Sequence, residues 1–161
     1  MERSERRYKL LVRLMFIIYL AALSYFLFFS ERYGRTNSTD EYRYNLVLFD
    51  EIKRFIKYRN VVGIESFIVN ILGNVLAFTP FGMLVPMLGV KQRKLFFVLL
   101  LCLEFTITIE LIQLVSKSGV FDVDDILMNT AGGILGYMFY AIMDFVVRRS
   151  RKHGQKKEDE L

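Results

Sequence analysis

The sequence predicts an all-α fold, a membrane bundle of four transmembrane helices, and three observations lead there. Hydrophobic residues fill 53% of 161 positions and mean hydropathy is +0.31, above the usual range of a soluble domain this size. The excess is gathered in four stretches, each close to the roughly 20 helical residues that cross a hydrocarbon core. The basic residues, in turn, cluster where four crossings would leave them on one side of the bilayer.

The first span covers residues 11–29, and Leu14 to Phe29 contains no ionisable side chain. Arg3, Arg6, Arg7, Lys9 and Arg13 precede it, as in a secretory signal, but the apolar run exceeds the roughly 7–15 residues of a signal core. It reads as an uncleaved anchor. Residues 30–66 form the segment outside the membrane. Within it, Tyr44 to Phe49 suits a short strand or a turn. Asp50 to Tyr58, apolar at Ile52, Phe55 and Ile56, suits a short amphipathic helix on the membrane surface. Tyr33, Tyr42, Tyr44 and Tyr58 fit an interfacial position, and a plain connecting loop without a site fits equally well.

The second span covers residues 67–88. Pro80, in Phe78-Thr-Pro-Phe-Gly82, is expected to kink or interrupt it with the help of Gly82, and Pro86 to mark its inner end. The third, 95–115, holds Glu104 and Glu110. Glu104 lies about 120° around the helix from Glu110 and is expected to face the bundle interior, apart from any site. The fourth, 124–147, contains Asp144 near its far end. Residues 1–147 thus make one membrane domain, and 148–161 a charged tail expected to be disordered.

The net charge of +5 could suggest nucleic acid, but its placement argues against that partner. Basic residues crowd the N-terminus, the turn Lys91 to Lys94 and the tail from Arg148, whereas Ser30 to Ser66 has seven basic and six acidic residues. The positive-inside rule puts both termini in the cytoplasm of a multi-pass cell-membrane protein, with the basic flanks able to hold anionic membrane lipids. Cys102 is the single cysteine, and His153, in the tail, the single histidine. Neither a disulfide framework nor a Ser-His pair or zinc cluster can be built, and no phosphate-binding glycine loop is present. A carboxylate-only donor set would suit Mg²⁺ or Ca²⁺; no cofactor is assigned.

The polar residues converge. Asn70 and Asn74 come early in the second span, Glu110 and Gln113 late in the third, and Asp122, Asp125 and Asn129 early in the fourth. At about 1.5 Å per residue, Asn74, Glu110 and Asn129 share a depth of about 10 Å from the outer end. Carboxylates in an apolar slab are costly and face protein or water. Glu110, Gln113, Asp122, Asp125, Asn129 and Asn74 are therefore expected to line a polar pocket opening outward. The competing reading is helix–helix hydrogen bonding, with Asp122 or Asp124 as an N-cap. Gly132 and Gly136 form a small-residue packing motif.

Those same residues carry a family likeness. Asn74-Val-Leu-Ala-Phe-Thr-Pro-Phe-Gly82 resembles the N-x-x-x-F-x-P-F-G segment of the VanZ-like family. Glu110-Leu-Ile-Gln113, and the run from Phe121 through Asp122, Asp125, Asn129 and Gly132 to Gly136, resemble its E-x-x-Q and D-x-x-D-x-x-x-N-T-x-G-G-x-x-G blocks. The likeness covers residues 44–140 or so. Asn45-Leu-Val-Leu-Phe49 is similar to the family's N-L-x-P-F stretch, with Leu48 in place of proline. Some members carry an Arg shortly before the first Asp; here the region reads Ser118-Gly-Val-Phe121, so no role resting on that Arg carries over.

The resemblance implies a small multi-pass bacterial membrane protein, linked through its family to low-level resistance to the glycopeptide teicoplanin. Three functions then compete. The first is an envelope protein that binds a lipid, a lipid-linked wall precursor or a lipoglycopeptide headgroup. The second is a carboxylate- or Mg²⁺-dependent hydrolase or transferase acting on a lipid-linked substrate. The third is a structural or transport partner. They rank in that order, binding ahead of catalysis, and the sequence fixes no oligomeric state.

Overall fold

The computed structural model describes residues 2–29, 42–50, 52–54, 56–57, 64–89 and 93–158, with the side chains of residues 2, 4, 28, 29, 64–70 and 151–158 outside the description. Four long helices, α1 (Glu2–Phe29), α2 (Ile64–Leu88), α3 (Leu95–Val115) and α4 (Val123–Glu158), account for most of it. Each contains a stretch long and apolar enough to cross a membrane: Glu5–Leu27, Ile71–Leu88, Leu95–Val115 and Val123–Ser150. Two short strands, β1 (Tyr44–Asn45) and β2 (Phe121–Asp122), pair in parallel, Tyr44 with Phe121 and Asn45 with Asp122.

The bundle is organised around α2, which packs against the other three helices and most extensively against α4. Glycine explains that preference. A Cβ on Gly132 would strike the carbonyl of Val75, one on Gly136 the carbonyl of Thr79, and one on Gly82 the carbonyl of Gly133. Only hydrogen at these positions lets the two backbones approach so closely, and close approach is what drives helix association where lipid is as apolar as the protein. Leu23 and Leu27 of α1, Phe78, Phe81 and Val85 of α2, and Val98, Cys102 and Ile109 of α3 form the buried apolar cluster. Phe81 stacks on Phe105 with ring centroids 5.1 Å apart, and the Tyr19 hydroxyl donates to the carbonyl of Ala77 at 2.8 Å, fastening α1 to α2.

Three expectations change. Pro80 does not interrupt α2, which runs unbroken past both Pro80 and Pro86. Proline is tolerated inside membrane helices because neighbouring groups and small local adjustments can satisfy the freed backbone group, here the carbonyl of Leu76, four residues before Pro80. Residues 148–158, expected to be disordered, continue α4 as helix. They contain no proline and are rich in Arg and Lys, both good helix formers, and Asp144 bonds Arg148 across one turn at 2.8 Å. Glu104, expected to face the interior, is exposed. The buried stripe of α3 is Cys102, Thr106, Ile109, Glu110 and Gln113, and Glu104 lies outside it.

Of the segment between α1 and α2, residues 42–50 show both alternatives at once, a strand followed by a turn, and residues 50, 52–54 and 56–57 are helical. Asn70, by its side chain, lies outside the described residues.

Candidate functional site: a closed polar cluster at one end of the bundle

The chain reversal after α3 begins the site. Ser118 donates its N–H to the carbonyl of Gln113 at 3.0 Å and Lys117 to that of Leu114 at 3.1 Å, with Lys117 left-handed at φ 54°. These are the two bonds of a Schellman motif, with lysine where glycine is usual. The short connection then returns the chain to the last turns of α3, where the Asp122 N–H donates to Glu110 Oε2 at 3.0 Å.

Asp122 is the N-cap of α4. Its Oδ1 accepts the Asp124 N–H at 2.8 Å, which satisfies one of the donors that a helix start leaves open. Its Oδ2 accepts from Asn45 Nδ2 at 3.1 Å, so the cap also holds β1. Asn45 uses its Oδ1 to accept the Val47 N–H at 3.1 Å, which starts the turn that brings Phe49 over the cluster. There Phe49, left-handed at φ 64°, donates its N–H to Asp124 Oδ1 at 2.5 Å. Deeper in the bundle Asn74 Nδ2 donates to Asp125 Oδ1 at 2.5 Å, and Asn129 Nδ2 to Thr106 Oγ1 at 2.8 Å. Gln113 Nε2 reaches the carbonyl of Leu27 at 3.4 Å and ties in α1.

Every contact just described that reaches a carboxylate comes from a neutral amide, either backbone or asparagine. Burial pushes the Asp122 carboxyl above the usual carboxylate range; the bonds from Asn45 and the Asp124 N–H oppose this, the Asp124 charge adds to it, and the Arg54 charge opposes it. Glu110 and Asn129 are each 2% exposed and Asp124 is fully buried. The pocket expected to open outward is therefore closed. The segment from Arg43 to Phe49 lies over it, Asn45 bonding Asp122 and the Phe49 N–H bonding Asp124, while Asp122 also caps α4 and Asp125 accepts from Asn74 of α2. Among the described residues no group of acids, cysteines and histidines is placed to hold a metal ion.

A family profile described as VanZ/LLP1 matches residues 16–144, a span that includes every residue of this cluster. The chain belongs to the VanZ/LLP1 family. It is also 28% identical over 156 residues to Protein VanZ of Enterococcus faecium, covering 95% of this chain and 84% of that protein. No solved structure matches it. This VanZ-like chain is accordingly a multi-pass membrane protein with an all-α, four-span architecture.

The motif blocks of this VanZ-like sequence meet one another in space. Glu110 bonds the residue that caps α4, Asn74 bonds Asp125, and Gly82 lies against Gly133. Gln113 and Asn129 instead bond groups outside the set, Leu27 and Thr106. Among the described residues the buried Asn129 Oδ1 has no hydrogen-bond partner. Sequence reasoning passed over Asn45, Thr106 and Phe49 as members. Thr106 was findable, one turn before Glu110 on the same face. Asn45 stood in the N-L-x-x-F stretch, but nothing local ties it to a residue 77 positions away.

Proposed function

We propose that this VanZ-like protein works in the bacterial cell envelope and contributes to resistance to teicoplanin-type glycopeptides. It does so by recognising the headgroup of a lipid, a lipid-linked wall precursor or the lipoglycopeptide itself. Recognition takes place at the end of the bundle where Asn45, Asn74, Glu110, Gln113, Asp122 and Asp125 gather. The distribution of basic residues supports placing that end on the outer face of the cell membrane.

One observation carries the reading. The cover over the cluster is held by neutral amide donors, Asn45 Nδ2 on Asp122 and the Phe49 N–H on Asp124. A headgroup rich in amides and hydroxyls offers the same donors, so it can take over those acceptors when the segment from Arg43 to Phe49 lifts. The fatty chain of a lipid-linked ligand would lie along the apolar flanks of the bundle meanwhile. The family membership and the resemblance to Protein VanZ of Enterococcus faecium, with the family's link to teicoplanin resistance, support the same reading.

The test is to replace Glu110→Gln, Asp122→Asn and Asp125→Asn singly in the full chain and measure membrane abundance beside teicoplanin susceptibility. The reading expects susceptibility to rise at normal abundance. Loss of abundance in all three, with susceptibility following it, would assign the cluster to helix packing instead.

A further inference from the structure

The segment that closes the polar cluster turns its polar groups inward and its apolar side chains outward. Inward, Asn45 Nδ2 bonds Asp122 and the Phe49 N–H bonds Asp124. Outward, Leu46, Val47, Leu48 and Phe49 are all exposed, Leu46 and Val47 by 64% and 63%. The run is an ordered turn, since Asn45 Oδ1 accepts the Val47 N–H at 3.1 Å and the Phe49 carbonyl accepts the Lys53 N–H at 2.9 Å. The second bond leads directly into the helical residues that follow, where Ile56 is exposed as well. Four successive exposed apolar residues do not suit a water-facing surface and mark contact with protein or lipid.

Position and charge select lipid. β1 lies beside β2, and β2 joins the span that ends at Val115 to the span that begins at Val123. Gln113 reaches the carbonyl of Leu27, so the first span ends at the same level. The turn therefore sits where hydrocarbon gives way to headgroups. Tyr42 and Tyr44, both exposed, suit that level, with rings toward acyl chains and hydroxyls toward water. Exposed cations surround the turn. Among the described residues of 42–57 they are Arg43, Lys53, Arg54 and Lys57, against the single acid Asp50. Lys53 and Lys57 are four apart, on one side of the helical residues, and Ile52 and Ile56 make the adjoining apolar side. Apolar insertion beside basic side chains is the pattern that binds anionic bilayer surfaces. We propose that residues 42–57 form a membrane-docking element. Leu46–Phe49 enters the boundary between headgroups and acyl chains, while Lys53 and Lys57 bind the phosphate of anionic phospholipid. The closed cover already presents this face, so the closed form is also the docked form. The inference does not depend on what the polar cluster binds.

Fluorescence quenching tests this on the full chain in bilayer nanodiscs of phosphatidylcholine and phosphatidylglycerol. In a Cys102→Ala background a fluorophore is attached at Val47→Cys, or at Leu48→Cys if the first lowers yield. Leu76→Cys, exposed within the α2 span, and Arg3→Cys, ahead of the first span, serve as the lipid and water references. Nitroxide on the upper acyl chain should quench the Val47 label, and aqueous acrylamide should reach it far less than the Arg3 label. Nitroxide-bearing phosphatidylglycerol should be preferred over the matching phosphatidylcholine about fivefold more at Val47 than at Leu76, the range of one basic side chain at an anionic surface. Lys53→Gln combined with Lys57→Gln should remove about half of that preference or more, and added salt should weaken it. A Val47 label as open to acrylamide as the Arg3 label would put the turn in water and overturn the proposal. Equal quenching by the two lipids, or a preference untouched by the double variant, would overturn the phosphate contact and the proposal with it. Shielding from acrylamide and nitroxide alike would put protein over this face and overturn it too.

Discussion

Asp122 donates its backbone N–H to Glu110 Oε2 at 3.0 Å, so the residue that caps α4 is held by a carboxylate from the last turns of α3. The bond joins two residues that are 12 apart in sequence and both buried. It makes Glu110 an acceptor that the fold cannot lose cheaply.

Glu110→Gln keeps an acceptor oxygen in reach of that N–H, while Glu110→Ala leaves a buried donor without a partner. The alanine variant should lose about 1–3 kcal/mol more stability than the glutamine variant. Thermal unfolding in one detergent, both variants side by side, measures the difference; equal losses would remove the bond from the stability account.

Asp122 gives a pH dependence of definite sign. Burial raises its folded-state pKa above the unfolded value, so the native protein binds the proton more readily than the unfolded chain. Its contribution to stability is then greatest at low pH and declines as pH rises through the two values, opposite to a salt-bridged acid. Asp122→Asn keeps a cap oxygen and abolishes the titration. Wild type should therefore gain on Asp122→Asn as pH falls from neutral toward the ordinary carboxylate range, followed as the difference between their melting temperatures.

The α2–α4 contact predicts a ranking among glycines. Alanine at Gly82, Gly132 or Gly136 places a Cβ against backbone carbonyl that cannot move independently, and should cost about 1–3 kcal/mol each, with loss of membrane abundance. Gly119→Ala meets only the Gln113 side chain, nearest at 3.3 Å, and should be milder. Quantitative blotting of membranes and detergent melting together test the order.

Asn45 reports on the cover. Asn45→Ala removes the bond to Asp122 Oδ2 and the local bond to the Val47 N–H, while leaving the four helices untouched. Amide hydrogen exchange at residues 46–50 should speed up about fivefold or more, the equivalent of about 1 kcal/mol, with exchange in α2 and α4 unchanged. Uniform acceleration across the helices would mean that the segment is part of the bundle's global stability.

The sequence by itself determined the four spans, since an unbroken apolar run of sufficient length has no other good solution in a membrane. It also determined that Glu110, Asp122 and Asp125 approach one end together. Their positions late in one helix and early in the next leave no freedom once the spans alternate. The buried stripe of α3 was half legible, because Thr106, Glu110 and Gln113 keep helical spacing, yet the same pattern gave no orientation for Glu104. Which face of a helix meets its neighbours depends on small residues in other helices: Gly133 of α4 lies against Cys102, about 200° around α3 from Glu104, so the Glu104 side is turned away from that contact. Tertiary structure alone closed the pocket. The pairing of Asn45 with Asp122 joins residues 77 apart, and a hydrogen bond of that range leaves no periodic trace in the chain. A polar cluster therefore announces its members through spacing, but whether it stands open or covered is settled by a segment whose own sequence is too short to declare where it lies.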